Sequence, residues 1–343
     1  MPSQLRAFLR ERGASDAEIA RAEADDWLPL LAIDRLLMPG EGRYDVDEVA
    51  ERAGTDPETA RRLWRAMGFP DVAPGVPAFT DRDVEVLRTA VTGVEPLDVA
   101  NLLRMARVLS SSLSRVAEVE ADFIADEMHR LRQSGLDDEQ VGTQLLDEID
   151  WSTIQELVDY VHRLQLRAAV WRRLARSDDD TMVDLAIGFA DLSGFTALSV
   201  ELEPQKLGQL VSRWETLAFD TIAEFNARVI KTIGDEVMFA GLPGSVAHAA
   251  LALVRRASGY PELPPVRAGV AHGPLLARDG DYYGPVVNLA SRLTDIARRG
   301  TVLAPEQMHQ ALKADKSLSW EPIGTRHVRG MGDVMVYELH ENS

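Results

Sequence analysis

Three short segments in the second half of this sequence hold side chains whose types and spacing suit work on a phosphorylated substrate. Asp191 ends an alternating run in Phe189-Ala-Asp-Leu-Ser-Gly-Phe-Thr196, and Asp235 tips a candidate hairpin in Lys231-Thr-Ile-Gly-Asp235. If the two strands pair, the carboxylates lie within reach of one metal pair, and two carboxylates completed by substrate phosphates suit Mg2+. Backbone N–H groups of Ser193, Gly194, Phe195 and Thr196, opening a helix, suit a phosphate. An Asp at a strand end or hairpin tip also serves as plain turn chemistry. The third segment is Asp281-Tyr-Tyr-Gly-Pro-Val-Val-Asn288-Leu-Ala-Ser-Arg292. With a helix starting near Pro285, Asn288 and Arg292 share one face, four residues apart. A fixed guanidinium beside an amide suits the charge of a phosphoryl transition state. Taken alone, they also read as a first-turn Asn and a solvated helical Arg.

The elements that must position these groups emerge from periodicity. Val183, Leu185, Ile187 and Phe189 alternate with Asp184, Ala186, Gly188 and Ala190, which predicts a strand. Residues 204–226 carry apolar side chains at helical spacing, from Leu207 through Trp214 to Ile222. Residues 228–233 and 236–240 read as short strands joined by the Gly234-Asp235 turn. Next come a helix over 246–258, a strand over 266–271, a helix over 285–298 and a strand over 301–304, and two closing strands flank Gly330-Met-Gly332. The order β-α-β-β-α-β with additions predicts an α+β, ferredoxin-like (split βαβ) domain.

Together these motifs resemble the class III nucleotidyl cyclases, over roughly residues 183–340. The resemblance implies that Asp191 and Asp235 hold metal, with the Leu192 carbonyl as a further ligand, and that two Mg2+ (or Mn2+) ions serve each site. Lys231 and Asp281 match the pair that reads adenine in adenylate cyclases. Asp281 would accept from the 6-amino group and Lys231 donate to ring nitrogen 1. Guanine reverses those polarities. Glu with Cys is the family's usual guanylate solution, and this chain has no Cys, so ATP is the expected substrate. Asn288 and Arg292 match the transition-state pair, and Arg329, in Val-Arg-Gly-Met-Gly-Asp, falls where the family has a phosphate-contacting Lys. The implied reaction is in-line attack of the ribose 3′-hydroxyl on the α-phosphorus with loss of pyrophosphate. In such enzymes the metal aspartates and the Asn/Arg pair of one site come from different subunits, so a homodimer with composite sites is expected. Three departures stand out: Pro274 follows Gly269-Val-Ala-His-Gly where a basic residue is common, the stretch between Gly273 and Asp281 reads as a shortened dimerisation arm, and Tyr283 replaces a frequent Trp.

Ahead of this domain, residues 1–150 read as helical, separated from residues 181–343 by a connector over 151–180. Ile154, Leu157, Val161, Leu164, Ala168, Trp171 and Ala175 step by alternating threes and fours, a heptad seam suited to pairing with its own copy. The same spacing suits an amphipathic helix lying on its own domain. Ser177-Asp-Asp-Asp then ends the seam or caps the next element. Residues 45–90 resemble a helix–turn–helix unit, with Arg61, Arg62 and Arg65 on its second helix. That raises a rival reading, a nucleotide-binding transcription regulator without turnover. Charge opposes it, because residues 41–88 hold 7 basic against 11 acidic side chains. The whole chain has a net charge of −18, and residues 1–180 carry 22 Arg and no Lys against 36 acidic residues. No nucleic-acid partner is expected.

Composition is ordinary for a globular protein, 45% hydrophobic and 27% charged. The absence of Cys excludes disulfides, zinc–thiolate sites and cysteine nucleophiles. No stretch approaches the ~18 uninterrupted apolar residues of a spanning helix, and no apolar signal core precedes Glu11, so a cytoplasmic location is expected. An acidic helical region ahead of a cyclase domain resembles the actinobacterial adenylate cyclases with an autoinhibitory, pH-responsive N-terminus. Under that resemblance His129 and His162, which titrate near neutral pH when unperturbed, are candidates for sensing acidity.

Overall fold

A computed structural model describes residues 4–92, 99–174 and 182–342. By contact density the chain divides into two compact units, residues 1–169 and 170–343.

Helices α1 (Gln4–Glu11), α2 (Asp16–Ala24) and α3 (Leu28–Leu37) open the first unit, followed by α4 (Val46–Ala53), α5 (Pro57–Ala66) and α6 (Asp81–Thr92). Local chemistry sets their ends. Asp45 and Glu48 form a reciprocal capping box on α4, which Gly54 closes in the left-handed conformation, and Asp56 caps α5 ahead of Pro57. A 35-residue helix, α7 (Val99–Gln133), is followed by α8 (Asp138–Glu148) and α9 (Trp151–Leu174). The unit holds two groups of small cores. Leu5, Leu9, Leu28 and Leu31 belong to one, continued by Ile33, Met128, Leu131 and Leu145; Val49, Ala60 and Phe79 belong to the other, continued by Leu63, Leu102 and Leu103. Helix α7 contributes to a core at each end.

Helices α4–α6 form the expected trihelical unit, but two of the three arginines on α5 are engaged. Arg61 reaches Asp47 at 2.8 Å and Arg65 reaches Asp71 at 2.6 Å. This supports a packing role for α5 over the reading of a duplex. Helix α9 covers the seam up to Leu174 and buries none of its residues, so the seam does not pack on its own unit. Ala175 and the Ser177-Asp-Asp-Asp run lie outside the described residues.

The second unit begins with β1 (Met182–Leu192), α10 (Phe195–Glu201), α11 (Pro204–Glu224), β2 (Arg228–Ile233), β3 (Glu236–Gly241), α12 (Pro243–Ala257) and β4 (Val266–Arg278). Their sheet order is β2-β3-β1-β4, all antiparallel, which is the ferredoxin-like arrangement. The chain continues through β5 (Asp281–Tyr283), α13 (Pro285–Ile296), β6 (Val302–Pro305), α14 (Glu306–Leu312), β7 (Leu318–Val328) and β8 (Gly332–Glu341). Strand β6 joins β4 in parallel, and β8 and β7 extend the sheet. One core packs α11, α12 and α14 around Trp214, Phe239 and Leu253; a second packs α13 around Ile187, Met238 and Leu293.

Two element bounds change. The strand expected over 266–271 runs on to Arg278, so that the stretch between Gly273 and Asp281 continues β4 into a short hairpin with β5. Asp279 and Gly280, both at positive φ, form the tight turn that allows this. Helix α13 stops at Ile296 rather than Arg298, as Ala297 turns to an extended conformation.

Candidate active site

The strand register brings Asp191 and Asp235 together. Asp191 lies at the end of β1, opposite Arg267 of β4, while β3 pairs with the other edge of β1 and the β2–β3 turn carries Asp235. The indole N–H of Trp214 donates to the Asp235 carbonyl at 2.8 Å, which holds the turn down. Burial raises the Asp235 carboxyl to about 7, helped by a hydrogen bond with Asp191 and by its negative charge; the N–H groups of Asp235 and Leu192 pull weakly the other way. Glu236 is also raised to about 7, by burial first and then by the charges of Asp191, Asp295 and Asp235, with Arg267 opposing.

Arg267 balances this cluster. Two of its nitrogens donate to one Asp191 oxygen at 2.6 and 2.9 Å, and a third donates to the Asp295 carbonyl at 2.8 Å. Beside it an open cleft is lined by Ser193, Gly194, Arg267, Arg298 and Arg299. Guanidinium groups next to crowded carboxylates suit a polyphosphate that arrives with its cation. Among the described residues no three His, Asp or Glu side chains are grouped to hold a metal ion. A two-carboxylate set with raised proton affinity therefore fits a hard cation that takes its remaining oxygens from phosphate and water.

The segment after Asp191 is partly committed. The Ser193 N–H donates to the Pro265 carbonyl at 2.9 Å, so it is already spent. The Ser193 hydroxyl is buried without a partner, and Gly194 takes φ +86° before α10 begins at Phe195. The N–H groups of Gly194, Phe195 and Thr196 are the remaining candidates of this stretch for an anion.

A second cluster joins Lys231 and Asp281. Their side chains meet at 2.5 Å, and the other Asp281 oxygen accepts from the Tyr282 N–H at 2.8 Å. The β4–β5 hairpin makes this possible, because it lays Asp281 opposite Arg278.

Asn288 and Arg292 lie on the exposed face of α13, while Leu289, Ala290 and Leu293 bury the other. Arg292 contacts Asp295 at 3.2 Å. Helix and strand approach so closely that a Cβ at Gly269 would sit 2.4 Å from the Ala290 carbonyl and the Thr294 nitrogen. Arg329 is exposed in the β7–β8 turn. His129 is exposed and bonds Gln133 at 2.8 Å, and His162 is exposed on α9. Neither imidazole faces a carboxylate within ion-pairing distance among the described residues.

Reasoning from sequence missed Arg267, Arg299 and Glu236. Glu236 adjoins Asp235 and was open to notice; nothing local marks Arg267, which becomes significant when its strand lies against Asp191.

A ferredoxin-like sheet with strand-end carboxylates, an arginine-lined cleft and an Asn-x-x-x-Arg helix defines the class III nucleotidyl cyclase framework. Comparison with known proteins agrees. The adenylate and guanylate cyclase catalytic domain matches residues 178–341, and the adenylate cyclase regulatory domain matches residues 3–170. An adenylate cyclase of Streptomyces coelicolor is 38% identical over 298 residues, 85% of this chain and 78% of that protein. One from Glutamicibacter nicotianae is 34% identical, covering 90% and 81%. A Mycobacterium tuberculosis protein named pH-sensitive adenylate cyclase is 30% identical, covering 99% and 88%. This chain belongs to the adenylate cyclase family, with a regulatory domain ahead of its catalytic domain. Among the described residues no helix is long and apolar enough to cross a membrane.

Proposed function

We propose that this protein converts ATP to 3′,5′-cyclic AMP and pyrophosphate in a homodimer with composite active sites. The observation that carries the reading is the strand pairing that brings Asp191 at the end of β1 beside Asp235 in the β2–β3 turn, where burial and the neighbouring Asp191 raise the Asp235 carboxyl to about 7. Such a pair is poised to exchange a proton for divalent metal. Two Mg2+ or Mn2+ ions, when bound by Asp191, Asp235 and the Leu192 carbonyl, supply activation of the 3′-hydroxyl and neutralisation of the β- and γ-phosphates.

The chain's own groups do the rest. Arg267, which donates to Asp191 in the free chain, would turn to a phosphate oxygen where metal holds that carboxylate. Lys231 and Asp281 part to read the adenine edge, Lys231 donating to ring nitrogen 1 and Asp281 accepting from the 6-amino group. The 3′-oxygen gives up its proton to water and forms its bond to the α-phosphorus as the α–β bridging bond breaks, and pyrophosphate leaves. Arg292 stabilises the charge on the α-phosphate and Asn288 orients the ribose. Because both project from an open face of α13, a second subunit is needed to close the site over substrate. The unburied α9 seam supplies a means of dimerisation. Control by pH fits the named M. tuberculosis relative, and autoinhibition by residues 1–150 belongs to the same proposed reading. The exposed surroundings of His129 and His162 lend them no special support as the sensors.

Mixing chains tests the reading. Asp191→Ala and Arg292→Ala chains, each inactive alone, regain activity when co-expressed. One site of each mixed dimer is intact, giving about a quarter of wild-type cyclic AMP formation for random pairing. No recovery, or product from GTP in preference to ATP, would overturn it.

A further inference from the structure

We infer that Arg228 and Tyr282 are positioning residues for the Lys231–Asp281 pair, and that they set discrimination at the 6-position of the purine. The inference rests on the adenine-reading role proposed above for that pair. A bulge in β2 puts Arg228 within reach of the same neighbours as Lys231. Arg228 lies opposite Ala240 of β3 and Val229 opposite Phe239, but Lys231, not Ile230, lies opposite Met238. Ile230 is the extra residue. In an unbroken strand Lys231 would share a face with Val229, which packs on the core around Trp214 and Phe239. The bulge shifts the alternation by one and turns Lys231 to the face of Arg228, Met238 and Ala240, the side of the sheet that α13 covers. There it meets Asp281 at 2.5 Å.

Asp281 needs support of its own, because β5 has three residues, pairs with β4 and buries one side chain, Tyr282. The Tyr282 N–H donates to one Asp281 oxygen at 2.8 Å, and the other oxygen faces Lys231. At the far end of the ring the Tyr282 hydroxyl accepts from the Arg228 guanidinium at 3.2 Å, and the guanidinium carbon stands 5.8 Å from the ring centroid. Arg228 thus ties β5 to β2, the strand that carries Lys231. Lys231 and Asp281 are 50 residues apart, on strands that do not pair with one another. The tie therefore fixes the spacing of the two groups where no ladder does. Spacing matters most for rejection: a 6-oxo purine sets its oxygen against Asp281 and its ring N–H against Lys231, and both repulsions fade if the strands can drift apart.

The test compares ATP with inosine triphosphate, which carries oxygen in place of the 6-amino group, on the full-length protein. Arg228→Met and Tyr282→Phe each lower the ratio of kcat/KM for ATP over inosine triphosphate about 10-fold, the worth of one hydrogen bond. The double variant loses no more than either single, because both remove the same bond. Arg228→Lys, which keeps a donor and a charge, retains most of the ratio. Tyr282→Phe leaves the ring in the core, so its result stands even where Arg228→Met lowers stability. Equal slowing of both nucleotides with the ratio unchanged would mean that the two residues only brace the fold. A double loss equal to the product of the single losses would mean that they act apart. Either overturns the inference. Failure of the catalytic proposal looks different: wild-type protein would make no cyclic AMP from ATP, and the inference would fall with it.

Discussion

Arg267 and Asp191 face each other across the β1–β4 ladder, with a guanidinium nitrogen 2.6 Å from the carboxylate. The cation that neutralises Asp191 in the free chain belongs to the protein, and it stands at the mouth of an arginine-lined cleft. On the proposed reading metal and arginine would compete for this one carboxylate, with a phosphate oxygen as the arginine's other partner.

Replacing Arg267 with Gln separates these roles. With the competing guanidinium gone, Mn2+ binds more tightly in the absence of nucleotide, as followed by electron paramagnetic resonance. The KM for ATP rises about 10- to 100-fold, the loss of a charge-assisted hydrogen bond to phosphate. An unchanged KM would remove Arg267 from the triphosphate site.

Metal binding without nucleotide strengthens with pH. Asp235 and Glu236 hold protons up to about pH 7, so a cation must displace them below that value and need not above it. Affinity should climb between pH 6 and 8, with proton release measurable by titration calorimetry in two buffers. Stability of the metal-free protein runs the opposite way. A carboxyl whose folded value is raised contributes stability that is present at low pH and lost as pH rises through about 7. The Tm of metal-free protein should thus fall from about pH 4 to about pH 7 and level off above it, and Asp235→Asn should flatten both trends.

The Lys231–Asp281 pair predicts a transferable specificity. Lys231→Glu with Asp281→Cys removes the donor for ring nitrogen 1 and the acceptor for the 6-amino group, and provides an acceptor for the guanine N–H. ATP turnover falls at least about 100-fold, since polar groups that close on the base are left mismatched, and GTP becomes the better substrate in a direct competition assay.

Gly269→Ala tests the seating of α13. The new Cβ meets backbone atoms of Ala290 and Thr294 at 2.4 Å, and neither can rotate away. The helix shifts, with a cost of about 1–3 kcal/mol in urea unfolding. Asn288 and Arg292 shift with it, lowering kcat about 100-fold while KM changes little.

Much of the fold was open to reading along the chain, because local periodicity reports which face of an element is buried. The alternation in residues 183–189 and the helical spacing in 204–226 marked β1 and α11, and Gly234-Asp235 marked the hairpin between β2 and β3. Short or composite elements were harder. Strand β5 has three residues, too few to show a period, and the extension of β4 past Gly273 hides behind Pro274.

Residue types and spacing by themselves determined which side chains were suited to metal, adenine and phosphate, since donor and acceptor chemistry resides in each residue. Tertiary structure decided which of them meet. Asp191 and Arg267 are 76 residues apart, and their ion pair exists because two strands align in one register. Strand pairing likewise spends the Ser193 N–H on Pro265 and crowds Glu236 against three carboxylates. Proton affinity and hydrogen-bond commitment are properties of a surrounding, and the surrounding forms when distant segments come together.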